Sequence, residues 1–289
     1  MPRSYIDKLA QGTRRYRCDL HWYINSTPAA NSWSHSYQTS IAPAAGTYSG
    51  TALARQQVTG GTSPSVTGGL INIIDPVAPN DQYLTEATLK NLVSGGTGRL
   101  YILDLLVYYP GIDANSNSLQ TFTSSAAASD QRPRTGNRNT VAFFDVTTAL
   151  GAGAANMTVT YTNIGLTSGR SSGAFALTAS SVVGRVPHAT AFVPLQAGDD
   201  GIASVQTVQL SAAMGAGSAL ALCLANVLGV IDITTDLVPA SKIYANNPSA
   251  LIEIPTGAAL TYLWEPVSAT ASQRLVTTLA TSECDLSAA

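Results

Sequence analysis

"GRLYILDLLVYYPGID", residues 98 to 113, is the densest apolar and aromatic stretch of the chain, and it holds one acid at its centre. Read with the two-residue period of a strand, Tyr101, Leu103, Leu105, Val107 and Tyr109 form a wholly apolar face. Leu100, Ile102, Leu106 and Tyr108 form the other face, which Asp104 interrupts. A strand apolar on both sides has to be covered on both sides. Pro110 and Gly111 then supply a turn dipeptide that ends the run. A short helix could be drawn over the same residues, but their β-branched and aromatic content favours the strand. Asp104 on a covered face needs partners, because an isolated buried carboxylate is costly. The expectation is a hydrogen bond to backbone or to an arginine.

Further along the chain the signals are mostly of the same kind. In "NMTVTYTN" (156 to 163), Met157, Val159 and Tyr161 alternate with Thr158, Thr160 and Thr162, the pattern of a half-buried antiparallel strand. "SGAFALTAS", "TAFVPLQ", "GIASVQTVQLS", "SALALCLANV", "ALIEIP", "ALTYLWEP" and "QRLVTTLAT" continue the series, separated by Gly, Pro, Asn or Ser. Many short strands with frequent turns predict a mainly β fold, an antiparallel β-sandwich of jelly-roll type with at most one or two short helices. The best helix candidate is "NDQYLTEATLKNLVSGG" (80 to 96), where Leu84, Leu89, Leu92 and Val93 are roughly helix-spaced before a glycine stop. No fixed-period repeat is present, which argues against a propeller or β-helix.

The first seventy residues read differently. Trp22, Tyr23, Trp33, Tyr37 and Tyr48 are scattered among Ser, Pro, Ala and Gly, and "TGGTSPSVTGG" (59 to 69) is loop chemistry. This predicts an extended N-terminal arm over residues 1–70, partly wrapped on the body or on a neighbour. The β-sandwich body takes residues 71–289, with room for two sub-sheets.

Charged residues make up only 11% of the 289, against roughly 25% in a typical soluble domain. A chain that forgoes mixed surface charge suits a subunit that hides its surface in neighbours. The formal net charge of −2 sets up no overall field for nucleic acid. The basic residues are unevenly placed: Arg3, Lys8, Arg14, Arg15 and Arg17 crowd the start, and the remaining lysines are Lys90 and Lys242. With Trp22, Tyr23 and Trp33, the five at the start (Arg3, Lys8, Arg14, Arg15 and Arg17) form the candidate partner-binding set, since arginine and aromatic side chains are enriched at interface cores. The aromatics of 22 to 48 lie downstream of the arginines rather than interleaved with them, which weakens a single-stranded nucleic-acid reading. The start lacks the apolar core of a signal peptide. "ALALCLANVLGVI" (219 to 231) is too short to span a membrane and is broken by Asn226 and Gly229. The expectation is synthesis in a cytoplasm with no membrane association, a route on which the sequons at Asn25 and Asn156 carry no weight.

Few residues carry the patterns that chemistry requires. Cys18, Cys223 and Cys284 are far apart and match no zinc spacing. Cys223 reads as a buried small hydrophobe, while Cys18 and Cys284 read as free thiols or as an intersubunit pair. His21, His35 and His188 fall in no metal motif, and there is no nucleophile elbow. "GAGAAN" (151 to 156) and "GAGSAL" (215 to 220) faintly resemble phosphate loops but lack the lysine and the strand–helix context, so they read as turns. Asp104, Asp113, Asp145, Asp199, Asp200, Asp232, Asp236, Glu253 and Glu265 are the acids from which a glycosidase pair could be drawn. The most conspicuous of them, in "QAGDDGI" (196 to 202), reads as a turn. No catalytic residue, metal or cofactor is expected.

Several phrases bear a family resemblance. "LYILDLLVYYPGID", "MTVTYTN" followed by "GRSSGAFALTAS", "ATAFVPLQAGDDGIASVQTVQLS" and "IYANNPSALIEIPTGAALTYLWEP" resemble segments of tailed-bacteriophage virion structural proteins, over roughly residues 70 to 270. The resemblance implies a non-enzymatic, β-rich component of the particle, of the head-decoration, minor-capsid or neck-collar type. The partners implied are other phage structural proteins (capsid, portal or neck) and further copies of the chain. It assigns no role to individual residues. Two other readings remain: a carbohydrate- or receptor-binding β-module with Trp22, Trp33 or Trp264 on an exposed platform, and a glycosidase.

Overall fold

The computed structural model describes residues 14–24, 34–35, 56–57, 81–92, 97–122, 140–190, 192–215, 217–234, 237–243, 252–255, 258, 260–267 and 273–284. In chain order the strands begin with β1 (Arg14–Ile24), β2 (Ser34–His35), β3 (Gln56–Gln57), β4 (Asp81–Asn91) and β5 (Gly98–Asp113). Next come β6 (Gln120–Thr121), β7 (Thr140–Thr148), β8 (Asn156–Asn163), β9 (Arg170–Ser171), β10 (Phe175–Ala176) and β11 (Ile202–Leu210). β12 (Ala219–Ile233), β13 (Ala240–Ile243), β14 (Ile252–Ile254), β15 (Leu260–Pro266) and β16 (Gln273–Cys284) complete the series. No helix occurs among the described residues. Among the described residues every strand pairing is antiparallel, and the mainly β, sandwich-like fold predicted from the sequence is observed.

The strands form three sheets. A long sheet runs β2-β15-β5-β12-β7, with β3 also on β5. A terminal sheet runs β1-β16-β4-β13, with β14 on β4, and a small sheet runs β10-β8-β11-β6, with β9 on β8. β5 organises the long sheet. β12 pairs along its whole length, from Ala219 opposite Asp113 to Ile233 opposite Gly98. On its other edge β15 covers Gly98 to Asp104, and β3 takes Val107 and Tyr108.

Plain alternation would put Leu106 on one face of β5 and Val107 and Tyr109 on the other. The structure corrects this. The pairing slips between Ala225 opposite Leu105 and Leu224 opposite Val107, so Leu106 is an extra, bulged residue. Leu106, Val107 and Tyr109 thereby all join one core. A second slip, between Tyr109 and Ile112, leaves Pro110 and Gly111 unmatched, with Gly111 at φ 79°. Pro-Gly is therefore a bulge inside β5 and not its end, and the left-handed backbone that it needs is the one glycine tolerates.

The two bulges let one strand serve two cores. Leu106, Val107, Tyr109 and Ile112 pack with Phe144, Leu222 and Leu224 of the long sheet against Met157, Val159, Tyr161, Val205 and Val208 of the small sheet. Leu100 and Ile102 pack with Leu260, Tyr262 and Trp264 against Leu84, Leu89, Leu275 and Leu279 of the terminal sheet. On the reverse face, Leu103, Leu105, Phe143, Cys223, Ala225 and Leu263 lie beneath Val186 and Phe192. The segment carrying Val186 and Phe192 runs along the outer edge of β7. Gly184 N donates to Val146 O and Val146 N to Arg185 O, both at 3.0 Å, and Val193 N donates to Ala142 O at 2.7 Å. β5 is thus covered on both faces, as its composition requires, and each fully buried large apolar side chain contributes roughly 1.5–3 kcal/mol.

The helix expected over 80 to 96 does not form: Asp81–Asn91 is β4, paired with β16. A bulge again explains the misleading spacing. Leu279 stands opposite Ala87 and Ala280 opposite Glu86, but Thr281 stands opposite Leu84, so Thr85 is extra. Its hydroxyl donates to Ala280 O at 2.9 Å. The bulge brings Leu84 and Leu89, an odd five residues apart, into the same core, a spacing that an unbroken strand alternation would not give.

Tyr109 also ties the long sheet to the small one. Val205 N, beside a break in the β11–β8 register, donates to the Tyr109 hydroxyl at 3.2 Å within the buried interior. Tyr109→Phe is expected to keep the fold and lower its stability by about 1–3 kcal/mol, because a buried donor loses an acceptor. Chemical denaturation of the two proteins measures it, and an unchanged midpoint would contradict this role for the hydroxyl.

Candidate functional site

The candidate partner-binding residues divide along one strand. Arg14 to Ile24 form β1, which pairs with β16 over eleven positions, from Arg14 opposite Glu283 to Ile24 opposite Gln273. Cys18 and Trp22 stand opposite Leu279 and Leu275, two residues buried in the lower core. Arg15, Arg17 and Tyr23 stand opposite Ser282, Ala280 and Arg274, in the alternate row. By register, Arg14 and Trp22 fall in one row of β1, and Arg15, Arg17 and Tyr23 fall in the other. Arg3, Lys8 and Trp33 lie outside the described residues. Cys18 and Cys284 are not opposite each other: Cys18 pairs with Leu279, five positions along β16, about 17 Å at strand rise.

Trp264, a candidate platform for sugar stacking, is fully buried in the lower core. Asp104 is fully buried as well. It belongs to a cross-strand row, Leu260–Asp104–Asn226–Thr140, running over β15, β5, β12 and β7. The Thr140 hydroxyl donates to Asn226 Oδ1 at 2.8 Å. The row lies where the two cores meet, between Ile102 and Leu228 of the lower and Leu106 and Leu224 of the upper. Asp104 is enclosed within the sheet and opens into no cleft.

The "QAGDDGI" acids resolve as a turn with a structural clip. Asp199 N donates to Gln196 O at 3.0 Å, closing the turn. The Asp199 side chain, only 1% exposed, collects three donors on adjoining strands of the small sheet. Tyr161 Oη donates to Oδ2 at 2.7 Å, Asn163 Nδ2 to Oδ1 at 2.7 Å, and Arg170 Nε to Oδ2 at 2.9 Å. The Tyr161 hydroxyl in turn accepts from Gln196 N at 2.7 Å. The Arg170 guanidinium holds the Asp199 carboxyl at about 2, with Asn163 and Tyr161 assisting. Burial, then the bond to Asp199, pushes Tyr161 up to about 12. These groups are saturated by one another. Sequence reading missed this clip, because Tyr161, Arg170 and Asp199 are distant in the chain and meet only through the sheet.

Asp232 and Glu265 also come together, on the strands flanking β5. Arg99 lies between them on β5, with Nε 2.6 Å from Asp232 Oδ1 and Nη1 3.9 Å from Glu265 Oε2. Burial, opposed by Arg99, raises the Glu265 pKa. A glycosidase needs open space between its carboxyl groups for the scissile bond; here a guanidinium occupies it. Asp113 Oδ1 caps the turn at Asn115 N, 2.9 Å away, and Asp145 is buried within β7. Asp236 lies outside the described residues.

The two glycine-rich motifs prove to be partners of each other. Gly151 and Gly215 meet so closely that a Cβ on Gly215 would stand 3.1 Å from the Cα of Gly151. Gly151 N donates to Ser218 Oγ at 2.9 Å and Gly153 N to Met214 O at 3.2 Å, so these amides are already engaged. His188 is buried among Phe144 and Phe175, with Nδ1 3.3 Å from the Thr190 hydroxyl. Burial lowers its pKa to about 4. Among the described residues no group of three His, Cys, Asp or Glu side chains could hold a metal, and no helix is long and apolar enough to cross a membrane.

No protein-family model matches the sequence, and no curated protein matches it. Among solved structures there is a match to "Structure of infectious bursal disease virus Gt strain", at 9% identity over 94% of this chain and 82% of that one, with a TM-score of 0.17. A score that low bears on neither fold nor function.

Acid should weaken the fold in two stages. The unfolded chain takes up a proton at His188 near the ordinary 6.5, whereas the folded site resists until about 4, so stability falls as pH drops through that window. Asp199 stays ionised in the fold to about 2 against an ordinary 3.8, so its contribution is complete above about pH 4 and fades below it. Thermal melts across pH 7 to 2 should show His188→Gln flattening the upper stage and Asp199→Asn the lower. Parallel profiles for all three proteins would contradict the assignment.

Proposed function

We propose that the chain is a non-enzymatic structural subunit of a virus particle of the tailed-phage type. It would decorate or reinforce the head or neck by burying its surface against copies of itself and other shell proteins. The observation that carries the reading is a chain poor in charge with a group of exposed apolar side chains at one end of the body. Of the eight large apolar side chains exposed among the described residues, Leu92, Leu237, Val238 and Val267 share that end. Leu92 follows the last residue of β4, and Val267 N donates to Thr97 O at the start of β5. Leu237 and Val238 lie between β12 and β13, whose first residue Ala240 pairs with Leu89. Clustered apolar exposure of this kind marks an interaction surface. The β1 strand supports the same reading: β16 takes one of its edges, and edge strands lend themselves to pairing with another chain.

The comparisons neither add to this reading nor oppose it, and the phage assignment within it rests on the sequence resemblance. In solution the account expects a discrete homo-oligomer. Sedimentation equilibrium should give a mass above that of one chain for the native protein, and a lower mass for the double substitution Leu237→Glu with Val238→Glu. These side chains are 49% and 54% exposed, so the thermal midpoint should shift little. A native protein that is monomeric at all concentrations would contradict the reading, as would an assembly that survives both charges.

A further inference from the structure

The solvent face of the small sheet holds a shallow cavity of about 300 Å³ that neither the clip nor the assembly surface uses. Strand alternation builds it. Met157 and Val159 enter the upper core, which turns Asn156 and Thr158 outward. On β11, Gln209 stands directly opposite Thr158. Asn117, from the connection between β5 and β6, and Ser211, just past β11, line the same cavity, with Ala174 beside them.

The backbone frame is fixed, and the side chains of Asn117, Asn156, Thr158 and Gln209 line the space. Ser211 N donates to Asn156 O, and Asn156 N donates to Ser211 Oγ, both at 2.9 Å. Gln209 Nε2 reaches the Asn117 carbonyl only at 3.4 Å, a long bond that a better acceptor can replace. None of the lining side chains is ionisable.

We propose that this cavity binds an uncharged carbohydrate unit, a neutral hexose or N-acetylhexosamine. Asn and Gln amides offer a donor and an acceptor side by side, which matches a pair of vicinal hydroxyls, each both donor and acceptor. A carboxylate, phosphate or ammonium would find no opposite charge here and would be desolvated without compensation. An apolar ligand would strand the amides without partners. The volume stands at the small end of the range for ligand pockets, roughly 300–1,000 Å³, which suits one sugar unit at the surface of a larger glycan. With Trp264 buried, the site works by hydrogen bonds rather than by ring stacking, so binding is weak and selective against charge. This inference stands apart from the assembly reading, because none of these side chains belongs to the apolar end or to β1.

The test is a titration of the full chain, followed by amide chemical shifts, with the methyl glycosides of glucose, galactose, mannose and N-acetylglucosamine. Glucuronate serves as the charged comparator. At least one neutral glycoside should give saturable shifts confined to residues 156–158, 209–211 and the 117 loop, and glucuronate should give none. Gln209→Ala and Thr158→Val should each weaken binding up to about tenfold with the thermal midpoint unchanged. The proposal is overturned by the absence of saturable shifts with every neutral glycoside, by equal binding of glucuronate, or by affinity that survives both substitutions. Any of these outcomes leaves the oligomer mass, and so the assembly reading, untouched.

Discussion

A strand with apolar side chains on both faces cannot lie at a surface, and the architecture follows from satisfying β5. Its edges are taken by β12, β15 and β3. Its reverse face is closed by the segment bearing Val186 and Phe192. Its principal face is too long for one partner sheet, so the small sheet takes the upper half and the terminal sheet the lower. Bulges keep this arrangement consistent, since without the extra residue at Leu106 every side chain beyond it would change face. Asp104, Asn226 and Thr140 occupy the seam between the halves. The Thr140–Asn226 bond disfavours a slip of β7 against β12, because a slip would break it inside the core.

How much of this the sequence displayed depends on how local each signal was. β5 and β8 were legible because their alternation is local and dense, and the overall β class followed from the repetition of such signals. β4 was not, because the bulge at Thr85 puts Leu84 and Leu89 on one face at an odd spacing and so breaks the two-residue alternation that marks a strand. The strand character of β1 was available in principle: Tyr16, Cys18, Leu20, Trp22 and Ile24 alternate with more polar neighbours. Its polar row, Arg15, Arg17, Asp19 and His21, is charged enough to read equally as a solvated arm. Glycine motifs at 151 and 215 each read as a turn, but nothing local says that they touch. Asp199 read as a turn acid for a local reason, while its clip to Tyr161 and Arg170 is a property of the sheet alone.

The surface chemistry fits a molecule that works by contact. Several described charges are neutralised within the body, Arg170 by Asp199 and Arg99 by Asp232 with Glu265 nearby. The outer face of the small sheet offers hydroxyls and amides, and one end of the body offers leucine and valine. A surface so poor in repulsive charge lowers the barrier to close packing with neighbours. On the assembly reading proposed above, burial and strand pairing would be the means by which such a subunit acts.

Native-state hydrogen exchange tests the role given to β5 most directly. If β5 and β12 are the pair on which both cores depend, amides from Leu100 to Val107 and from Leu222 to Ile231 exchange only through global unfolding. Their exchange free energies then equal one another and the stability from denaturant melts. Independent opening of the lower half of β5, at a free energy well below that of the upper half, would contradict the account. The two cores would then be separate units joined by a strand, not one structure built around it.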